Sequence, residues 1–244
     1  MKTRGRSIIA ALVICMLIAV NNASAADFKI MTEEFPPFNY TENGKLTGLS
    51  TDVMMEIGKR INHPTDFELL PWARAYGLIQ KKDGLILFSM TRTEARENLF
   101  KWVGPVASNK WVFFAKKGSG ITVSSLDDAK KVKKIGAYKD DAAESFLKAE
   151  GFTNLDSVLK DSQNVPKLMA GRINLWIVGE LQGIHKAKVQ GANEDLEKVM
   201  DVKDTQLYIA FSKNTSDEDI VKWQKALDDM KADGSYDTIL KKYM

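Results

Sequence analysis

The sequence predicts an α/β protein of two lobes, and three observations predict it. The 244-residue chain is 44% apolar and 27% charged, a composition that buries a core and excludes disordered, collagenous and low-complexity classes. The run Leu85-Ile86-Leu87-Phe88 is apolar on both faces, as in strands of a sheet covered on both sides. Strand and helix patterns alternate from residue 27 onward and restart near residue 110, giving two halves of about 100 residues each.

The first 25 residues stand apart. Lys2, Arg4 and Arg6 precede an unbroken apolar run of 13 residues, Ile8 to Val20, and Ala23-Ser24-Ala25 offers a small-residue cleavage site, so residues 1–25 read as a secretory signal peptide. An anchor would need about 20 apolar residues to span the hydrocarbon core. Removing the three basic residues from the total of 35 leaves as many as the 32 acidic ones, so the mature chain is neutral and no nucleic acid partner is implied. Cys15, the one cysteine, lies in the leader, and the mature protein stands on its core alone. His63 and His185 have no partners at ligand spacing, so no metal site and no cofactor are expected.

In chain order, Phe28–Met31 predicts a strand, Gly48–Ile61 a helix, Asp66–Leu70 a strand and Trp72–Lys81 a helix after Pro71. Leu85–Phe88 is the buried strand, and Thr93 caps the helix that follows it. Lys110–Lys116 predicts a strand, followed by a helix at Ser124–Lys131, a strand at Lys134–Tyr138 and a helix at Asp140–Glu150 closed by Gly151. Asn154–Leu159, Gln163–Gly171, Leu175–Val178 and Glu180–Gln190 continue as strand, helix, strand, helix. Thr205–Ser212 is a last strand. Ser216 and Asp219 form a capping box opening the helix to Asp233, and a short helix covers Ser235–Tyr243. All six prolines fall at expected element boundaries. Two sheets joined by extended segments near 112–117 and 204–210 fit this pattern better than one.

Ser89 and Thr91 fall at the carboxyl end of the most buried strand, where open α/β sheets place ligands. With Thr93 as N-cap, Arg96 occupies the first helical turn, where a cation opposes the helix dipole. Two readings fit: an anion held between Arg96, the helix N-terminus and the two hydroxyls, or a solvated ion pair with Glu94 or Glu97. In Pro71-Trp72-Ala73-Arg74-Ala75-Tyr76, Trp72 offers a stacking plane and Arg74 a bidentate carboxylate partner at the rim of the cleft; core packing and a surface charge are the alternatives. Tyr138 ends a second-lobe strand on the same side, and Tyr40 is a weaker candidate in the first loop. Trp102, Trp111, Trp176 and Trp223 are expected mainly in core roles.

The segments Glu34-Phe35-Pro36-Pro37-Phe38 with Gly48, Thr91-Arg92-Thr93-Glu94-Ala95-Arg96 before Phe100, Gly136-Ala137-Tyr138, and Ala170-Gly171-Arg172-Ile173-Asn174 occur in an order and spacing that resemble one known family. Residues 28–244 resemble the periplasmic solute-binding proteins that feed polar amino acid importers, which have the two-lobed type II periplasmic binding fold. The resemblance implies a hinged pair of lobes with the chain crossing twice: 26–112 with 206–244 as lobe 1, and 113–205 as lobe 2. It implies that Arg96 clamps a ligand carboxylate with help from Ser89 and Thr91, and that Phe35 packs on the ligand. Two departures stand out. Asp140-Asp141-Ala142 replaces the usual Ser or Thr after the first strand of lobe 2, and Gly179, beside Glu180, stands where the family places the acid for an ammonium group. Glu180, Asp140 or Asp141 is left to supply the negative charge, with helix capping as the alternative role for each.

The expected function is therefore capture of a small carboxylate-bearing solute by a monomeric periplasmic protein and its delivery to an inner-membrane ABC permease. A dehydratase-like enzyme on the same fold, with Glu180 or Asp140 as proton donor, is the alternative; no Ser-His-Asp, Cys-His or paired-carboxylate motif supports it. A sensory module that reports to a membrane receptor is a third reading.

Overall fold

The computed structural model describes residues 28–243. The expected signal peptide and its cleavage site lie outside them. In chain order the elements are β1 (Lys29–Thr32), β2 (Tyr40–Glu42), β3 (Lys45–Thr47), α1 (Leu49–Ile61), β4 (Phe67–Leu69), α2 (Trp72–Ile79), β5 (Leu85–Thr91), α3 (Glu94–Glu97) and β6 (Phe100–Lys116). There follow α4 (Leu126–Lys131), β7 (Ile135–Tyr138), α5 (Ala142–Ala149), β8 (Leu155–Val158), α6 (Asn164–Met169), β9 (Leu175–Gly179), α7 (Glu180–Val189), β10 (Leu196–Ser212), α8 (Asp217–Ala232) and α9 (Ser235–Leu240).

The predicted elements are present, with two differences of consequence. The hairpin β2–β3 is new; its residues are polar and half-exposed, so it carries no burial pattern to read. Where two sheets were expected, one eight-stranded sheet runs in the order β4-β1-β5-β10-β6-β9-β7-β8. Its ends are parallel, and its middle is an antiparallel ladder of the two 17-residue strands β6 and β10. The expected extended crossings are thus paired with each other, because two adjacent crossing strands satisfy each other's backbone groups. Pro105 lies inside β6, against the expectation for all prolines. The ladder tolerates its missing N–H through an irregularity, in which Ala107 pairs with Leu207 and Val103 with Ile209.

Two separate cores flank this sheet. In the first half, Ile30, Phe88 and Phe211 pack with Val53 and Ile57 of α1 and with Trp223 and Leu227 of α8 on one face, while Met31, Leu87 and Met90 pack with Trp72, Ala75 and Ile79 of α2 on the other. Strand alternation divides β6 in the second half: Trp111, Phe113 and Ala115 face the core under α5, and Val112 and Phe114 face the core under α6. Ser108-Asn109-Lys110 and the paired segment Lys203-Asp204-Thr205-Gln206 belong to none of these clusters. A polar two-stranded ribbon therefore joins the cores. Gly48, with φ of 117°, turns the chain into α1 where a Cβ would stand 2.4 Å from the Phe38 carbonyl oxygen, which fixes the loop carrying Phe35 against the first core.

Candidate functional site

The carboxyl ends of β1, β5 and β7 point into the space between the two cores. β5 is buried along its whole length. Opposite β10 it pairs Phe88 with Ile209 and Met90 with Tyr208, leaving Ser89 unmatched in a bulge at φ of 62°. A non-glycine residue at positive φ is held there at a cost by its surroundings. Its hydroxyl oxygen is buried without a hydrogen-bond partner.

Two residues on, Thr91 lines the interlobe cavity, and its carbonyl accepts a hydrogen bond from Arg96 Nη1 at 3.3 Å. Thr93 is the N-cap of α3, as predicted, and Arg96 follows in the first turn, 4% exposed. The alternative ion pair with Glu94 or Glu97 is not formed: Glu97 pairs instead with Arg92 at 2.5 Å. Among the described residues no carboxylate lies within 4 Å of the Arg96 guanidinium. It sits against two aromatic faces, its Cζ 5.0 Å from the Trp72 ring and 4.9 Å from the Tyr76 ring, and these rings stack on each other at 5.0 Å. An arginine so desolvated, with donors to spare, is a site for a planar anion.

Three hydrogen bonds join the halves across the cleft. Asp140, at φ of 62° in the turn before α5, presents its carbonyl to Trp72 Nε1 at 2.9 Å and to Arg96 Nη2 at 3.3 Å. The Tyr138 hydroxyl donates to Glu33 Oε2 at 3.0 Å. Burial pushes the Glu33 carboxyl up to about 8 against the opposing pull of Lys186, and burial, reinforced by Glu33, pushes the Tyr138 phenol up.

The cavity between the halves is lined by Phe35, Thr91, Trp111, Tyr138, Asp141 and Gln182 among others; its volume of about 10 Å³ is room for roughly one water. Any solute must enter through separation of the halves. Tyr138 and Asp161 are shared with an adjoining outer groove of about 520 Å³. Asn109 and Trp111 are shared with a second groove of about 590 Å³ beside the ribbon.

The candidates divide clearly. Phe35, Thr91, Arg96, Trp72 and Tyr138 are brought together around the cleft, with Ser89 in the bulge behind Thr91. Arg74 is not among them: it lies on the exposed face of α2, two residues round from the buried Trp72. Glu180 turns away to pair with Lys198 at 2.8 Å. Asp140 contributes its backbone carbonyl, while its side chain is exposed. Of these three acids, Asp141 is the one that faces the cavity. Its Oδ1 caps α5 by accepting from the Ala143 N–H at 2.9 Å, and burial raises its carboxyl while Arg96 opposes the shift. Trp111, expected in the core, is buried and also forms part of the cavity wall.

Sequence reading missed Glu33, Asn109, Asp161, Gln182 and Lys186. Asp161, 5% exposed, accepts from Trp176 Nε1 and Asn164 Nδ2, both at 3.0 Å, and pairs with Lys186 at 2.6 Å. Its short 3₁₀ turn gives no periodic signal; the only available hint was an acid beside an apolar helix pattern. Among the described residues no group of three or more His, Cys, Asp or Glu is placed to hold a metal ion. His63 has a structural role, accepting from the Phe28 N–H at 3.3 Å and packing on Trp223.

A two-lobed α/β frame with one buried arginine at the cleft is the architecture of solute-binding proteins. The description of the bacterial extracellular solute-binding proteins, family 3, matches residues 29–244, and the chain belongs to that family. It is similar to a probable histidine-binding protein of Campylobacter jejuni, with 26% identity over 220 residues, 86% of this chain and 81% of that one. Among solved structures it is similar to an ancestral arginine-binding protein bound to glutamine, with 28% identity, a TM-score of 0.77, and 89% and 98% of the two chains covered. A histidine kinase sensor domain shares the fold at 17% identity and a TM-score of 0.81, over 90% and 97% of the two chains.

Proposed function

We propose that the chain is an exported amino-acid-binding protein that closes two lobes on one small carboxylate-bearing solute and presents it to an inner-membrane ABC permease. The observation that carries this is Arg96, buried at the cleft without an acid partner and facing Asp141 from the other half. A zwitterion inserted between them satisfies both charges: its carboxylate takes the free guanidinium donors, and its ammonium takes the Asp141 oxygen not used in capping α5. Thr91 and Ser89 lie beside the carboxylate, and Phe35 closes the apolar wall. The probable histidine-binding relative, together with an L-cystine-binding protein of Bacillus subtilis and an arginine-binding periplasmic protein of Mannheimia haemolytica that are also similar to this chain, supports an amino acid as the solute class.

Lobe 1 comprises 26–112 and 206–244 and lobe 2 comprises 113–205. The polar ribbon of 108–110 and 203–206 is the hinge, since it joins the two halves of the sheet and lies outside both cores. Closure is a population shift from separated halves toward conformers in which they meet, and with a solute inside the halves stand further apart than in the described conformer, whose cavity holds about one water. The test is calorimetric titration of the mature chain, refolded to remove carried solute, against single amino acids. Binding of at least one with loss of about a hundredfold or more in Arg96→Ala is expected; undiminished binding by that variant would sink the proposal.

A further inference from the structure

Three observations meet at Gly179. Asn109 and Gln182 are each more than nine-tenths buried and line the interlobe cavity, and neither the Asn109 Nδ2 nor the Gln182 Nε2 donor has a hydrogen-bond partner. Buried amide donors are rarely left so, because the lost hydration is repaid only by a partner. Gly179 is the N-cap of α7 and supplies no side chain to cap it, so the positive end of that ten-residue helix borders the same wall. Lastly, a Cβ on residue 179 would stand 2.8 Å from Asn109 Oδ1. The Asn109 amide occupies the space an acidic side chain at 179 would need, so the two positions are matched. The other acid of this wall, Asp161, has both oxygens engaged, by Trp176 and Asn164 on one and by Lys186 on the other.

We propose that this end of the cavity reads a hydrogen-bond acceptor: the solute runs from the Arg96 and Asp141 clamp to Asn109 and Gln182 and ends in a carbonyl, carboxamide or carboxylate oxygen, not a cation. The inference rests on the clamp reading given above and adds the class of side chain. A cation placed here would meet two amide donors and a helix N-terminus, with no free carboxylate. An acceptor satisfies all three donor groups together. Discrimination by such a wall is large because the wrong terminus leaves its donors unpaired.

The experiment is calorimetric titration of refolded mature protein with four probes: L-glutamine, L-glutamate, L-lysine and L-arginine. Glutamine or glutamate is expected to bind at least about tenfold more tightly than either cation. Gln182→Met, close in volume, and Asn109→Ala should each reduce that ratio by about tenfold, and the pair Asn109→Ala with Gly179→Asp should turn the preference toward lysine and arginine. Thermal midpoints of each variant establish that it is folded, and two independent single variants guard against the loss of one. Lysine or arginine binding as tightly as glutamine in the wild type, or a ratio unmoved in both single variants while Arg96→Ala still abolishes binding, overturns this inference alone. If none of the four probes binds while another amino acid does, this inference falls and the clamp reading stands; if no amino acid binds, both fall.

Discussion

Raising the pH from 5 to 8 should weaken the folded protein chiefly through Glu33. Its carboxyl lies at about 8 in the folded chain because burial disfavours the charged form, against an ordinary value of 4.5. A folded-state value above the unfolded one means that the native protein holds the proton longer. The stabilisation is complete below about 4.5 and is lost as pH rises through about 8. The slope of this contribution is at most about 1.4 kcal/mol per pH unit. The adjoining groove brings solvent to the carboxyl, so a total on the order of 2 kcal/mol across the window is the working figure. Asp141, also raised by burial, acts in the same direction, whereas His185, lowered by burial, adds stability as pH rises in the same range. The exposed carboxylates held low by their partners, Glu97 and Asp201, act only below this window. Glu33→Gln isolates the one group, since its amide oxygen still accepts from Tyr138. Urea unfolding at half-unit steps from pH 5 to 8 should show the wild type losing stability relative to the variant. Parallel curves for the two proteins across that range would refute the assignment.

Other perturbations separate closure from folding. Trp72→Phe removes the donor to the Asp140 carbonyl and should weaken binding of L-glutamine about fivefold, as loss of a hydrogen bond of about 1 kcal/mol implies; calorimetry with unchanged affinity would count against that contact as a closing one. Lys186→Met strands the buried Asp161 charge at a cost of about 3–5 kcal/mol, which should lower the thermal midpoint by roughly 10 °C, and Asp161→Asn in the same chain should recover most of it. Ser216→Ala removes the side chain that accepts from the Asp219 N–H at the start of α8 and should cost about 1 kcal/mol in unfolding experiments, with solute affinity unchanged.

The fold was legible where burial writes a period into the chain. Leu85–Phe88 declares a covered strand because both of its faces are apolar, and Ser216 with Asp219 declares a helix start because the cap is local chemistry. The lengths of β6 and β10 were not legible. Phe100–Asn109 mixes a proline with polar residues, and Leu196–Asp204 is largely exposed, so pairing between two distant segments, not burial, makes them strands. Within the site, Arg96 could be read because a cation in a first helical turn conflicts with the dipole and needs another reason to be there. Arg74 was misplaced for an equally local cause: Trp72 and Arg74 are two apart on α2, and once Trp72 turns inward its neighbour faces solvent.

The missed residues share a physical origin. Asn109 lies in the polar ribbon, Gln182 in the first turn of α7, and Glu33 just past β1; each borders the space between the halves. Their roles depend on what stands opposite, and a single-chain pattern contains no opposite side. Gly179 shows how such information is nevertheless encoded. Taken alone, the glycine is only the absence of an expected acid, and suggests an impaired amino acid site. Beside Asn109 it gains a reason, since a Cβ there would press on the amide, which would have to shift to admit it. On the proposed reading the acid for the ammonium group is Asp141, which lines the cavity at a position where the family resemblance led to a Ser or Thr hydroxyl. That acid stands beside Arg96 at one end of the cavity, and the hydrogen-bonding capacity of Asn109 and Gln182 stands at the other. The prediction follows that Asp141→Ser, returning the hydroxyl without restoring an acid at 179, should lose amino acid binding measured by calorimetry, whereas Glu180→Gln should not. The opposite result would return the ammonium site to α7.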